Sequence, residues 1–367
     1  MEMKQLWNKI MGLYHYTPKR IKILPANTDR ESELITPFEK DKHYFDITVN
    51  EMFLSTKNNK NWLHTFDPMV FITTEFYYDG KPVAVPFVIG PSIGLSDKKQ
   101  ELPKDGGMIY KNIPVGGRNA YKGGSLAISL ILSQFPYQSP LKKLLNIIES
   151  ATSTYSKDIF PMVGNYLKIA NILVDGMDAL AESDDVKPLI GIRENYRDGD
   201  VKPGYFALVN LEDDKLDPEK FYVIDEELYY GETKNSAIPF RLNDYVLYSI
   251  LKEGSRSDYE SFPFFNTWKE IDTFVTNYPL SSDNKSVDIP KLEQEAKRML
   301  YSLGHSMRFS PDLTGEQVTI LYKLYQEKLD VLLGEKKTLS GKEDHFEEVK
   351  IADWEKEFNR INAEIFN

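Results

Sequence analysis

The stretch FDPMVFITTEFYYDGKPVAVPFVIG, residues 66–90, constrains the fold more than any other part of the chain. It joins two runs of β-branched and aromatic residues through Asp79-Gly80, a dipeptide that favours the tight turn of a β-hairpin. The sequence therefore predicts an antiparallel hairpin here. A strand is also predicted at 43–54, where apolar and polar residues alternate, and a charged exposed loop at 94–107.

Further strands are predicted beyond the hairpin. The Ile- and Leu-rich segment 126–135 is one candidate. Short strands at a spacing of about 8–20 residues are typical of an antiparallel sandwich or barrel. Four later candidates, separated by Asp, Gly and Pro, are PLIGIREN (188–195), GYFALVN (204–210), KFYVID (220–225) and NDYVLYSILK (243–252).

Between these strands the hydrophobic period becomes that of a helix. The segment 139–155 begins with Ser-Pro, which suits an N-cap followed by the first helical position, and the helical pattern continues over 157–183. We therefore expect a β-rich domain at 1–255 with a helical insertion at about 139–183.

The last third of the chain, 256–367, has a different pattern. The polar segment 281–288 is a plausible linker, and Thr314 with Gln317 forms a capping-box motif. The predicted fold class is thus α+β, an antiparallel β-sandwich followed by a C-terminal helical region. Amphipathic helices are predicted there at 291–309, 314–337 and 352–367.

Composition excludes several classes of function. The net charge is -11 and basic residues are spread along the chain, so a nucleic-acid partner is not expected. The absence of cysteine excludes disulfides, thiolate metal sites and thiol nucleophiles. The first twenty residues are too charged for a signal peptide, and the longest apolar runs are too short for a membrane-spanning helix. We expect a cytoplasmic protein.

The stretch PVGGRNAYKGGSLAISLIL (114–132) resembles a phosphate-binding sequence in composition only. Its Lys-Gly-Gly-Ser order is not that of a nucleoside-triphosphate loop, and a strand pattern follows it instead of a helix. We predict that Gly116, Gly117, Gly123 and Gly124 supply positive φ angles in tight turns. The alternative is an anion-binding turn formed by Arg118, Lys122, Gly123 and Gly124.

Several short segments carry a family resemblance over about residues 65–335. The chain resembles a family of uncharacterised bacterial proteins. The resemblance implies a C2-like β-sandwich with a helical tail, in bacterial conflict or defence operons, and it implies no catalytic residues. The segments are Tyr-Lys-Gly-Gly (121–124), Gly-Tyr-Phe (204–206), Asp-Tyr-Val-Leu (244–247) and Ser-Pro-Asp-Leu-Thr (310–314).

No local motif predicts a metal or cofactor, and we expect none. The aspartates at 184–185, 198–200 and 213–217 leave loop Ca²⁺ binding open, although none forms an EF-hand. No GxSxG sequence marks a nucleophile. The five histidines lack the spacing of a zinc site; they are His15, His43, His64, His305 and His345.

The apolar segment 159–180 has two interpretations. A core helix packed on the sheet is the simpler one, and a surface that binds a partner or a membrane interface is the other. The residues that would form such an interaction helix are Ile159, Phe160, Met162, Tyr166, Ile169 and Leu173.

The function predicted from these patterns is binding of another protein, as a non-enzymatic accessory component. The abundant Tyr, Phe and Met suit an interaction surface. One alternative is a membrane-acting effector that uses the 140–182 helices. A membrane is therefore a possible partner, although a protein partner is favoured over it. Another is a hydrolase whose site is assembled from distant residues.

Overall fold

A computed structural model describes residues 19–55, 66–89, 107–136, 187–197, 199–210, 216–279 and 289–339. The chain divides into two compact units. Unit 1 comprises residues 1–40 and 44–253, and unit 2 comprises residues 41–43 and 254–367. The division predicted from the sequence, between 255 and 256, lies two residues further along the chain.

Strands dominate the described part of unit 1, and helices dominate that of unit 2. In chain order the strands are β1 (Lys19–Lys22), β2 (Tyr44–Ser55), β3 (Phe66–Tyr78), β4 (Lys81–Ile89), β5 (Gly107–Ala120), β6 (Leu126–Pro136), β7 (Lys187–Tyr196), β8 (Gly204–Val209), β9 (Phe221–Ile224), β10 (Glu227–Tyr230), β11 (Ile238–Pro239) and β12 (Tyr245–Glu253). The α-helices are α1 (Glu31–Leu34), α2 (Phe264–Asn277), α3 (Ile289–Arg308) and α4 (Gly315–Leu339).

The strands form three antiparallel sheets. The largest has the order β1-β8-β12-β2-β5, a second has β4-β3-β6-β7, and a small one has β11-β10-β9. The predicted α+β class, with antiparallel sheets and a C-terminal helical region, is confirmed at this level. The hairpin is confirmed as β3 and β4, and both turn residues have the positive φ of a tight hairpin turn, 51° at Asp79 and 70° at Gly80.

The five-stranded sheet is the middle layer of unit 1, because side chains from both of its faces are buried. One face shares a core with the four-stranded sheet. The middle sheet contributes Phe45, Leu208 and Ile250 to this core, and the four-stranded sheet contributes residues such as Ile72 and Leu130. The other face shares a second core with the small sheet. Members of that second core include Phe53, Tyr205, Leu247, Phe221, Val223 and Leu228.

Burial on both faces explains the composition of the middle strands. All six residues of β8 and the first seven of β12 are buried, so neither strand alternates apolar with polar residues. A strand with one wet face would show that alternation.

A buried carboxylate joins the middle sheet to the small one. Glu51, in β2, is fully buried. Its Oε1 accepts a hydrogen bond from Arg241 Nη2 at 2.6 Å, and its Oε2 accepts one from the Leu228 N–H at 2.9 Å. Tyr245 Oη also donates to Oε2 at 2.6 Å. Burial raises the pKa of Tyr245 far above its ordinary value, so the phenol keeps the proton that it donates.

The three long helices of unit 2 each bury one face. From α2 the buried side chains include Trp268 and Ile271, and Trp268 packs on Tyr325 of α4 with ring centroids 4.9 Å apart. The helices predicted at 291–309 and 314–337 are confirmed as α3 and α4.

The predicted capping box at the start of α4 is formed in its first half. Thr314 Oγ1 accepts a hydrogen bond from the Gln317 N–H at 3.2 Å. The side-chain amide of Gln317 does not complete the capping box. Its Oε1 accepts a hydrogen bond from the Arg256 N–H at 3.0 Å, and its Nε2 donates one to the Arg256 carbonyl at 2.7 Å. Arg256 is itself buried and forms a two-point ion pair with buried Asp258.

Some predicted elements fall outside the described residues. They are the exposed loop except for Gly107, the helical insertion at 139–183, the linker at 281–288 and the helix at 352–367. Among the described residues, no helix is long and apolar enough to cross a membrane.

Replacing Glu51 tests the join between the middle and small sheets. We expect Glu51→Ala to lower the free energy of unfolding by about 3–5 kcal/mol, because it removes the acceptor of the buried Leu228 N–H and Tyr245 hydroxyl and leaves the largely buried Arg241 charge without its best partner. Glu227→Ala is the matched control, since Glu227 also faces Arg241, at 3.5 Å, but is more exposed. That variant should lose about 1 kcal/mol or less. Urea denaturation measures both, and equal losses would contradict the assigned role of Glu51.

Asp244 gives a prediction about pH. Burial raises the pKa of this carboxyl above its ordinary value of 3.8, and the hydrogen bond that Oδ1 accepts from the Ser55 N–H, at 2.7 Å, only partly offsets this. The ionised form is therefore less favourable in the folded than in the unfolded chain. The wild type should lose stability relative to Asp244→Asn as the pH rises from 3.8 through the raised value. Unfolding free energies between pH 4 and 7 test this, and a constant difference would contradict it.

Candidate interaction surface

A row of three aromatic side chains runs along α3 and just past its end. Tyr301, His305 and Phe309 are four residues apart, so they lie on one face of the helix. The Tyr301 and His305 ring centroids are 5.3 Å apart, edge to face, and the His305 and Phe309 centroids are 5.4 Å apart, stacked at 25°. The Phe309 N–H still donates to the His305 carbonyl at 3.1 Å, which extends the helical geometry. We call these three residues the aromatic ladder.

The aromatic ladder faces solvent, away from the core of unit 2. Tyr301 is 64% exposed and Phe309 is 72% exposed. The opposite face of α3 supplies the buried residues Leu300, Leu303 and Met307. The helix therefore packs without these rings. Phenylalanine is among the side chains most often buried, so its exposure next to two further rings is a feature to explain.

The helix that carries the aromatic ladder is positively charged in a negatively charged chain. It contains four Lys or Arg residues and two Glu residues, whereas the net charge of the chain is -11. Both glutamates are held by cations. Hydrogen bonds from Lys297 and Lys337 lower the pKa of Glu293, and a hydrogen bond from Arg298 lowers the pKa of Glu295. Their negative charge is thus locally compensated, and an acidic partner meets little repulsion from them.

His305 lies in an aromatic environment between the rings of Tyr301 and Phe309. His43 is buried, and His15, His64 and His345 lie outside the described residues. Across the described ranges no group of three or more His, Asp or Glu residues could hold a metal ion.

The glycine-rich stretch forms a turn at one place and a strand irregularity at another. Gly123 and Gly124 lie between β5 and β6 with φ angles of 81° and 82°, as the turn prediction requires. The prediction of a turn at Gly116 and Gly117 is wrong, because both lie inside β5. There the register with β2 shifts, and Gly117 has a φ of 74°. A β-bulge needs the same backbone freedom as a turn, so the two are alike in sequence.

The predicted anion site contains an arginine that already has anionic neighbours. Arg118 Nη2 lies 3.8 Å from carboxylate oxygens of both Asp46 and Glu253. A bound anion would have to compete with these two groups. Lys122 is half-buried beside Gly123 and Gly124 and also has an interaction partner. Anion binding by these residues stays a prediction.

The predicted interaction helix lies outside the described residues, with all six of its side chains, and so stays a prediction. The aromatic ladder was not singled out from the sequence, although α3 was. The signal was present, since aromatic residues recur at 301, 305 and 309 within the predicted helix. Helical periodicity depends on the apolar face of α3 that packs in the core, whereas the ladder lies on the other face.

No family model matches the chain, and no curated protein matches it.

The turn between β5 and β6 gives a prediction about stability. A Cβ at Gly124 would lie 2.5 Å from the Tyr77 ring, whereas one at Gly80 meets no atom within 4 Å. Both positions have positive φ, so each alanine substitution costs about 1–2 kcal/mol. We expect Gly124→Ala to cost at least about 1 kcal/mol more than Gly80→Ala, because of the added clash.

Thermal or urea denaturation measures both variants. In a Tyr77→Ala background the Gly124→Ala cost should fall to that of Gly80→Ala. An excess cost that persists without the Tyr77 ring would show that the clash is not its source.

Proposed function

We propose that this protein acts by binding another protein through the aromatic ladder of α3. The observation that supports the proposal is the exposure of Tyr301 and Phe309 in a row of rings that the core of unit 2 does not use. Tyrosine and other large aromatic residues are enriched at protein interfaces and among the residues that dominate binding energy. In this proposal the protein acts as a binding component.

The helix makes the aromatic ladder suitable for recognition. Its backbone is ordered by helical hydrogen bonds, and contact with the ring four residues away limits the side-chain rotation of each ring. Little conformational entropy is therefore lost when a partner covers the rings. Full burial of a large apolar side chain contributes about 1.5–3 kcal/mol, so two such rings can anchor an interface.

Two further parts of the proposal concern the fold of unit 1 and the biological system in which the protein acts. The two larger sheets share one core, which supports the idea of a C2-like sandwich. An accessory role in a bacterial defence system rests on the sequence resemblance alone.

Capture from the native host tests the proposal. We expect the full chain, after mild crosslinking, to retain a stoichiometric protein that Tyr301→Ala/Phe309→Ala loses. With that protein purified, the double variant should raise Kd by at least ~30-fold, the equivalent of about 2 kcal/mol.

The matched control is Ile238→Ala/Leu242→Ala, which removes two other exposed apolar side chains, 69% and 55% exposed, from unit 1. It should retain the captured protein with unchanged Kd. Equal recovery by the wild type and both double variants would reject the aromatic ladder as the binding surface.

A further inference from the structure

We propose that residues 352–367 of the same chain dock on the aromatic ladder and compete with the partner. The inference rests on the proposed function and adds its regulation. The ladder and the docking segment differ in charge and are joined by a short length of chain, and three observations on these points carry the inference.

The first observation is reach. Helix α4 ends at Leu339, and Lys337 Nζ lies 3.2 Å from Glu293 Oε2 near the start of α3. His305 is twelve residues further along α3, or about 18 Å at the helical rise. The twelve residues 340–351 can span up to about 40 Å when extended. The segment can therefore reach every ring of the aromatic ladder.

The second observation is shape. Residues 352–367 read ADWEKEFNRINAEIFN, and their large apolar side chains recur with helical spacing. Trp354, Phe358, Ile361 and Ile365 would share one face of a helix. That face would present a stripe of about the same length as three rings spaced four residues apart, so the two rows could pack along one another.

The third observation is charge. Residues 340–367 contain eight acidic and four basic side chains, whereas α3 contains four basic and two acidic ones. The two segments thus carry opposite net charges and attract each other. Charge complementarity therefore favours a contact between residues 340–367 and α3.

Attachment through a short linker makes a weak contact sufficient. A tether of twelve residues gives an effective concentration in the millimolar range. A contact with an intrinsic Kd of about 1 mM would therefore cover the aromatic ladder for about half of the time. The apparent Kd for the partner then equals the intrinsic Kd divided by the fraction of time that the aromatic ladder is uncovered.

Disulfide trapping in the full chain tests this contact, and the chain has no cysteine to interfere. The paired substitutions are Ser302→Cys, an exposed position beside the aromatic ladder, with Asn362→Cys in the docking segment. The control pair is Gln326→Cys with Asn362→Cys. Gln326 is exposed on α4, thirteen residues or about 20 Å from its end, so the tether gives it a similar collision rate.

We expect the Ser302→Cys pair to oxidise within one chain at least tenfold faster than the control pair. Adding Tyr301→Ala/Phe309→Ala should reduce that rate to the control value. Equal rates for the two cysteine pairs would overturn the proposal. A disulfide between two chains in place of the intrachain one would also overturn it, and would identify a second copy as the occupant.

The experiment separates this inference from the proposed function. If trapping depends on the aromatic ladder but capture of the partner does not, the intrachain contact stands and the protein-binding role fails. If capture depends on the ladder but both cysteine pairs oxidise equally, the binding role stands and the docking of 352–367 fails.

Discussion

The Glu51 carboxylate is the interaction that fixes the small sheet of unit 1 against the middle sheet. A fully buried carboxylate is tolerated only where hydrogen bonds and an opposite charge replace water. The Leu228 N–H of the small sheet, Tyr245 of the middle sheet and Arg241 of the connection between them supply these. The burial of one charge therefore fixes the position of three chain segments. Apolar packing around it adds stability, but it is less specific about position.

Local signals in the sequence predict much of the fold. The Asp-Gly turn predicts the β3–β4 hairpin, and helical periodicity predicts α3 and α4. Strand β5 was missed because the Gly-Gly pair within it resembles a turn. The sequence also does not predict that both faces of the middle sheet are covered by other sheets, for a different reason. An apolar run shows that a strand is buried, but it does not show which element covers each face.

The candidate surface was harder to predict than the core. Periodicity identifies the buried face of a helix, since apolar residues recur there at helical spacing, and the remaining residues are assigned to solvent. Tyr301 and Phe309 belong to that remainder and stand out only when their exposure and ring contacts are known. Long-range pairs such as Glu51 with Arg241, 190 residues apart in sequence, leave no local signal at all.

The order of strands in the middle sheet has a consequence for synthesis of the protein. Strand β12 is the last of its strands in the chain, yet it lies between β8 and β2. The ribosome must therefore release residue 253 before the two halves of the sheet can join, and β2 waits some 190 residues for that neighbour. Until then the apolar edges of β2 and β8 lack the strand that separates them. The unpaired edges of β2 and β8 in the nascent chain are therefore places where pairing with another chain has to be avoided.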